Sequence, residues 1–372
     1  MAIGTVADCQ SILEPTNRLL VRSGLGIMQA GNFQNSGLSQ LLKHTGLQEK
    51  ISQNYKINSQ DLGYTLSPIL NSSGRVSHAK LSISTLLSDE NEGGKLALEL
   101  IETNTNRKQM VRDILEEVEL EAENQFLEGK KAIWLSGNWS KGIVGLLASR
   151  LVNAYNLPVI VVSKESETEA TASLRAPEGY NLVKAMGKLD PSLLDKFGGH
   201  PGAAGFTTNP GKLEAIENDL VGALSEQEET LQDIETSFIP WDYQYTIPVK
   251  LEKLKTKKNL IWLNKEILTP QFLSETMSLD PFGQDFPFPQ FVFPLSHYSI
   301  KFLGQDEKHA KIFFSGQQLT AFNLDKEIVQ EFKKNINEQQ LNTKEIWVIA
   351  KISQNTWNGS TKNELVAEKI IL

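Results

Sequence analysis

Cysteine occurs once in the 372 residues, as Cys9. A lone thiol closes no disulfide within the chain and builds no multi-cysteine zinc site; it fits a reducing, cytoplasmic setting. Histidine is also scarce, with five copies at 44, 78, 200, 297 and 309, no two of them adjacent. No apolar run reaches the length that crosses a bilayer, and the N-terminal residues lack a secretory pattern, so no membrane partner is expected. Positive charge is not in excess. The formal net charge is −8, carried by the first two-thirds, which argues against a uniformly basic surface but leaves room for a local basic groove. Internal repeats and low-complexity tracts are absent. At this length two or three domains are expected.

The chain's most distinctive stretch is FGGHPGAAGF, residues 197–206. Gly198 and Gly199 open backbone conformations closed to other residues and allow close approach to the main chain. His200 is presented from that turn, and Ala203, Ala204 and Gly205 strip bulk from the residues after it. Backbone N–H groups in such a turn can hold an anion, with the imidazole donating to a phosphate oxygen. A tight turn leading into a closely packed strand is the alternative.

Around this centre the chain reads as α/β. MAIGTVADCQSI reads as a buried strand, with Asp8 at its end either as a ligand-side carboxylate or as a helix cap. Residues 17–30 and 36–46 show helical spacing with glycine stops. Asn71 to Arg75 (NSSGR) reads as a polar loop whose amide, hydroxyls and guanidinium suit phosphate oxygens. From about 95 to 128 runs the longest helical pattern, with Leu98, Ile101, Met110, Ile114, Leu115, Val118 and Phe126 as its apolar stripe, suggesting a connector. Strands then alternate with helices from Lys130 to Leu224, predicting a mixed sheet with helices on its faces. Gly142 and Gly145 open a helix there, and Ser173 and Arg175 lie two apart on a strand, facing one side. Residues 225–236 read as an acidic tether. Beyond them short strands and one helical insert near 326–337 suggest a small β-barrel or sandwich, with Trp357 ahead of an Asn358–Gly359 hairpin turn.

Taken together, GTVAD at the start, LNSSGR at 70–75, GIVGLLASR at 142–150, SLR at 173–175 and GGHPGAAG at 198–205 stand in the order seen in the RecJ family of the DHH phosphoesterase superfamily. Residues 279–293 and 355–370 resemble the segments flanking that family's oligonucleotide-binding barrel. The resemblance implies the C-terminal part of a DHH catalytic domain over 1–92 and a connecting helix over 93–129. It further implies a DHH-associated substrate-binding domain over 130–228 and the barrel over 229–372. The activity implied is 5′–3′ exonuclease action on single-stranded DNA in repair and recombination, with two Mn2+ or Mg2+ ions activating water.

The Asp-x-Asp and Asp-His-His motifs that hold those ions in the family are missing here. Asp8 is the one position matching a family metal ligand, and a single carboxylate cannot hold two hard cations. The expectation is therefore a fragment that grips substrate and is inactive alone, either a piece of a longer nuclease or a chain completed by a separately encoded N-terminal half; a catalytically inactive binding or scaffold protein is the alternative. A small-molecule phosphodiesterase of the superfamily would lack the C-terminal barrel. By resemblance Arg75, Ser173 and Arg175 grip backbone phosphates with Asn71, Gly198 and Gly199 beside them. His200 acts on the scissile phosphate, Asp8 is catalytic through a metal, and Trp357 stacks a base. Ser140 stands where the family usually has a histidine.

Overall fold

The computed structural model describes residues 1–31, 35–76, 78–164, 166–231, 260–336, 345–357 and 360–372. These fall into two compact units, one of residues 1–34, 41–67 and 236–372, the other of residues 35–40 and 68–235.

In the second unit, α5 (Ser67–Val76) and α6 (Lys80–Leu87) precede a single long helix, α7 (Glu90–Leu127). Asp89 caps it by accepting from the backbone N–H groups of Asn91 (2.9 Å) and Glu92 (3.1 Å), satisfying donors a helix start leaves orphaned. At 38 residues α7 is about 57 Å long. Its buried stripe is Gly93, Ala97, Leu100, Asn104, Val111, Val118, Ala122 and Gln125. The stripe is displaced from the expected one: Leu98 and Phe126 are exposed, because small side chains such as Ala97 and Ala122 mark where neighbours approach most closely. Val111, Val118 and Ala122 pack on Ile133 and Leu135 of β1 (Ile133–Gly137) and on α8 (Val144–Tyr155).

The sheet runs β1–β2–β3–β5–β4, with β2 Val159–Ser163, β3 Ala170–Arg175, β4 Lys196–His200 and β5 Ala203–Thr208. The β1–β2 pair is parallel and the remainder antiparallel, the mixed sheet expected from the alternation of elements. Gln125 blunts the β1 edge: its amide donates to the Trp134 carbonyl (2.8 Å) and accepts from the Trp134 N–H (2.9 Å). On one sheet face Ala172, Leu174, Ala204 and Phe206 are covered by α9 (Leu182–Met186) and α10 (Leu213–Leu231). On the other, α7 and α8 cover β1 and β2. The acidic stretch after Leu224 continues α10 as far as Leu231; the rest of the predicted tether, from 232, lies outside the described residues.

Two sequence expectations fail locally. NSSGR is not a loop but the last two turns of α5. The glycine-rich run is not a turn but two strands, β4 and β5, joined by Pro201 and Gly202.

In the first unit, MAIGTVAD forms α1 (Ala2–Ala7) rather than a strand. Its Ala2 sits so close to Gly24 of α2 (Pro15–Ala30) that a Cβ there would lie 2.3 Å from the alanine methyl. That smallness lets two helices meet, and among the described residues no strand pairs with the segment. The expected helix over 36–46 is α3 (Ser36–His44), and α4 (Leu47–Ser52) follows it.

A buried polar knot ties residues 55–61 to Asp280. The Tyr55 hydroxyl donates to the Asp61 carboxylate (3.0 and 3.1 Å), as does the Asn58 N–H (2.9 Å), and the Ser59 hydroxyl donates to Asp280 (2.9 Å). Burial raises both carboxyl groups above their ordinary range. Arg18 holds the same segment through the Pro281 carbonyl (3.1 Å).

The seven C-terminal strands pair in the order β6–β7–β11–β12–β10–β9–β8. They are β6 Leu260–Trp262, β7 Gln290–Leu295, β8 Ser299–Leu303, β9 His309–Phe314, β10 Gln317–Ala321, β11 Ile346–Trp357 and β12 Ser360–Ile371. A helix, α11 (Pro270–Ser278), precedes β7. Strands from opposite ends of the order share one core: Phe291 and Phe293 of β7 join Ile312 and Phe314 of β9, with Phe332 from α12 (Lys326–Ile336). A sheet rolled upon itself has this property. The predicted strand at 245–254 lies outside the described residues, as do Trp241, Tyr243 and Tyr245.

Candidate nucleic-acid interface

Register across the second unit's sheet decides which side chains meet. Arg175 pairs with Ala203, which pairs with His200; Ser173 pairs with Gly205, which pairs with Gly198. Directly opposed residues of antiparallel strands point to the same face. That face is the one α7 and α8 cover over β1 and β2 and leave open over β5 and β4. The result is a ledge with a floor of Gly198, Ala203 and Gly205, with Ser173 and Arg175 along one side and His200 on the other. At ordinary strand spacing the Cα atoms of Arg175 and His200 are about 10 Å apart. His200 is exposed.

Arg175 is fixed by its own strand. Its Nη1 donates to Ser173 Oγ (3.1 Å) and to the Leu174 carbonyl (2.7 Å). The first turn of α8 comes so close that a Cβ on Gly145 would lie 3.0 Å from Ser173 Oγ and 3.3 Å from Arg175 Nη2. Gly142 serves α5 in the same way, since a Cβ there would lie 1.8 Å from the Arg75 carbonyl oxygen. Arg75 Nη1 also donates, at 3.5 Å, to the Gly142 carbonyl. Burial, and then the charge of Arg75, hold the Arg175 guanidinium below its ordinary range. Arg75, Ser173, Arg175 and His200 thus belong to one unit, Ser173 bonded to Arg175 and Arg175 within the field of Arg75.

The remaining sequence candidates divide. Asn71 is exposed one turn before Arg75, on the same side of α5. Ser72 and Ser73 are fully buried and their hydroxyls are spent internally, Ser72 donating to the Ile69 carbonyl (2.6 Å) and Ser73 bonding Ser82 (2.6 Å). Phosphate has no access to them. Gly199 faces away from the ledge with φ +141°. Ser140 closes the turn before α8, its Oγ accepting from the Gly142 N–H (3.4 Å).

Residues 129–226 match the DHHA1 domain and residues 261–369 the RecJ OB domain. This is a RecJ-like chain. It is 28% identical to the single-stranded-DNA-specific exonuclease RecJ of Bacillus subtilis, over 98% of this chain and 42% of that protein. To RecJ of Haemophilus influenzae it is 26% identical, over 100% of this chain and 60% of that one. The fold matches RecJ of Thermus thermophilus in complex with Mn2+, with a TM-score of 0.73 and 23% identity, covering all of this chain and 49% of that one. The RecJ-like chain therefore spans roughly half the length of the relatives it matches.

Divalent ions are bound by the solved Thermus proteins. The residues described here do not make such a site. Asp8 lies exposed at the end of α1, in the first unit, with its Oδ2 accepting from Gln10 Nε2 (2.6 Å). Among the described residues no group of three or more His, Cys, Asp or Glu could hold a metal.

In the OB domain, Trp357 pairs with Ser360 at the end of the β11–β12 hairpin, while its ring and the Asn358–Gly359 turn lie outside the described residues. The sequence reading missed a different surface. Phe313 projects from β9 opposite Ser299 and Gln318, and Lys311, two residues away on the same face, opposes Lys301. Their alternation with core residues Ala310, Ile312 and Phe314 was a usable signal.

Proposed function

We propose that this chain supplies the substrate-holding part of a RecJ-type 5′–3′ exonuclease for single-stranded DNA, acting in the cytoplasm in repair and recombination. The observation that carries this reading is the open sheet face on which Ser173, Arg175 and His200 surround a floor of glycine and alanine, with Arg75 alongside. The bare floor admits a sugar-phosphate backbone close to the strands. Arg75 and Arg175 contribute forked donors that match phosphate geometry. The Ser173 hydroxyl adds a single donor, and Asn71 an amide at the margin. Gly198 keeps the floor clear. His200, across the ledge, donates to a phosphoryl oxygen where charge develops during displacement.

In a complete nuclease, Mn2+ or Mg2+ would supply the activated water, with Asp8 as one ligand among others brought by a partner half. The donor set described here is insufficient for that, so this polypeptide by itself is expected to release no nucleotide. The same insufficiency favours a second reading, a single-strand-binding or scaffold protein that holds without cutting. Segment 1–92 is read as part of the DHH domain, 93–129 as the connecting helix, 130–228 as the substrate domain and 229–372 as the barrel.

The test is the salt dependence of single-stranded DNA binding by fluorescence anisotropy. Arg175→Ala is expected to weaken binding and to lower the slope of log K against log salt by about 0.7, one phosphate's worth. Unchanged affinity and slope would remove the ledge from the binding surface. Manganese-dependent nucleotide release by the isolated chain, abolished by Asp8→Ala, would overturn the division of labour. Release on adding an upstream-encoded half, against none in its presence, separates nuclease from scaffold.

A further inference from the structure

We propose that the phosphate seat extends onto α7, with Arg107 as a further phosphate-binding residue and Asn104 as the residue that positions it. The inference rests on the reading of the ledge given above.

Asn104 interrupts the buried stripe of α7: it is 5% exposed, midway along a helix whose inward positions are otherwise mostly small or apolar. A buried amide is costly unless its polar atoms are used. Its Oδ1 accepts from both Nε (3.2 Å) and Nη2 (2.9 Å) of Arg107, one turn further on. Two contacts to one oxygen fix the plane and heading of the guanidinium. An amide oxygen carries no formal charge, so the arginine is aimed without being neutralised.

Three observations locate the turn of α7 that carries it. Ser72 of α5 reaches the Leu100 carbonyl (3.5 Å), one turn before Asn104. Met110, just past Arg107, joins the cluster containing Leu146 of α8. Phe126 meets Tyr155 with ring centroids 5.3 Å apart, so α7 and α8 run in the same direction and α8 begins beside the middle of α7. Arg107 therefore occupies the turn of α7 between the end of α5 and the start of α8. That is also where the Arg75 carbonyl abuts Gly142 and Arg175 abuts Gly145.

The electrostatics agree with that placement. Burial, then Arg75 and Arg150, hold the Arg107 guanidinium below its ordinary range. Arg107 of α7 thus feels Arg75 of α5 and Arg150 of α8, and Arg75 is also the charge felt by Arg175 of β3. Among the described residues none of the four is ion-paired with a carboxylate. Collecting like charges without a counter-ion is unfavourable in the free protein, and an anionic ligand bound among them would relieve that cost. Four cations exceed the single charge of one phosphodiester, which points to two consecutive phosphates of a strand.

The experiment uses the full chain and a 5′-phosphorylated single-stranded oligonucleotide, with anisotropy read across a salt series and urea midpoints read in parallel. Arg107→Ala is expected to weaken binding about tenfold, the loss of one charge-assisted contact, and to lower the salt slope by about 0.7. Asn104→Asp is the sharper variant. It keeps Arg107 and gives it a fixed negative partner, so binding weakens while the urea midpoint holds or rises. A purely structural Asn104–Arg107 pair would leave binding intact in that variant. If Arg107→Ala does not fold, Arg107→Lys and Asn104→Asp carry the test. Unchanged affinity and slope in these variants, with Arg175→Ala still impaired, overturns the extension and leaves the ledge standing. Arg175→Ala unimpaired as well would show that the ledge reading itself has failed.

Discussion

Gly198 and Gly199 are neighbours with different reasons to be glycine. A Cβ on Gly199 would lie 2.5 Å from both the Ala203 oxygen and the Ala204 Cα, and its φ of +141° is closed to other residues. Gly199→Ala is accordingly expected to destabilise the second unit by about 1–3 kcal/mol, read from urea midpoints. Nothing lies within 4 Å of a Cβ on Gly198. Gly198→Ala should fold within about 0.5 kcal/mol of the parent and instead weaken single-strand binding, because the new methyl intrudes on the ledge. A midpoint loss at 198 equal to that at 199 would refute the distinction. The sequence marked both glycines as permissive; only the strand register separates a steric need from a functional one. The same limit hid the fate of Ser72 and Ser73, whose hydroxyls look available in NSSGR until a helix turns them inward.

At the scale of elements, period and alternation carried well. The helices over 15–30 and 90–127, the β1–α8–β2 run and most C-terminal strands are legible as apolar patterns with glycine or asparagine punctuation. Small residues misled in both directions: Ala, Gly and Thr at 2–7 pass for a strand but make a helix by packing on Gly24, and GGH with AAG pass for a turn but make paired strands. The β8–β9 pair yields a prediction at this scale. With Phe313 37% exposed and the opposed Lys301 and Lys311 one repeat along, the outer face offers a ring and two cations at a spacing of about 7 Å, close to that of successive nucleotides. Phe313→Ala is expected to weaken single-strand binding by about 1–3 kcal/mol with the urea midpoint little changed. Unaltered anisotropy would exclude the face.

Convergence across distant segments is what no local pattern reports. Residues 75, 107, 150 and 175 come from four elements, and the Asn-x-x-Arg spacing at 104–107 was the sole trace of the part played by α7. The polar knot in the other unit is similar, since Asp61 and Asp280 are 219 positions apart in sequence and touch the same short segment. Burial raises both carboxyls, so the folded form binds their protons more tightly than the unfolded one does. Stability from these groups therefore falls as pH rises out of the ordinary carboxylate range. Asp61→Asn deletes one titration, and its urea midpoint should gain on the parent's as pH rises out of the ordinary carboxylate range; parallel curves would mean that Asp61 titrates as it does unfolded. The two-residue link at Pro201 and Gly202, whose carbonyls accept from Leu182 (2.9 Å) and Ala176 (3.1 Å), has its own large-scale effect. Because side chains on a strand alternate, one residue inserted or deleted there would swing the imidazole to the opposite surface of the sheet with every chemical group still present. Length at that corner is thus under tighter constraint than identity, and a natural variant with an indel there would keep its motif on paper and lose its use.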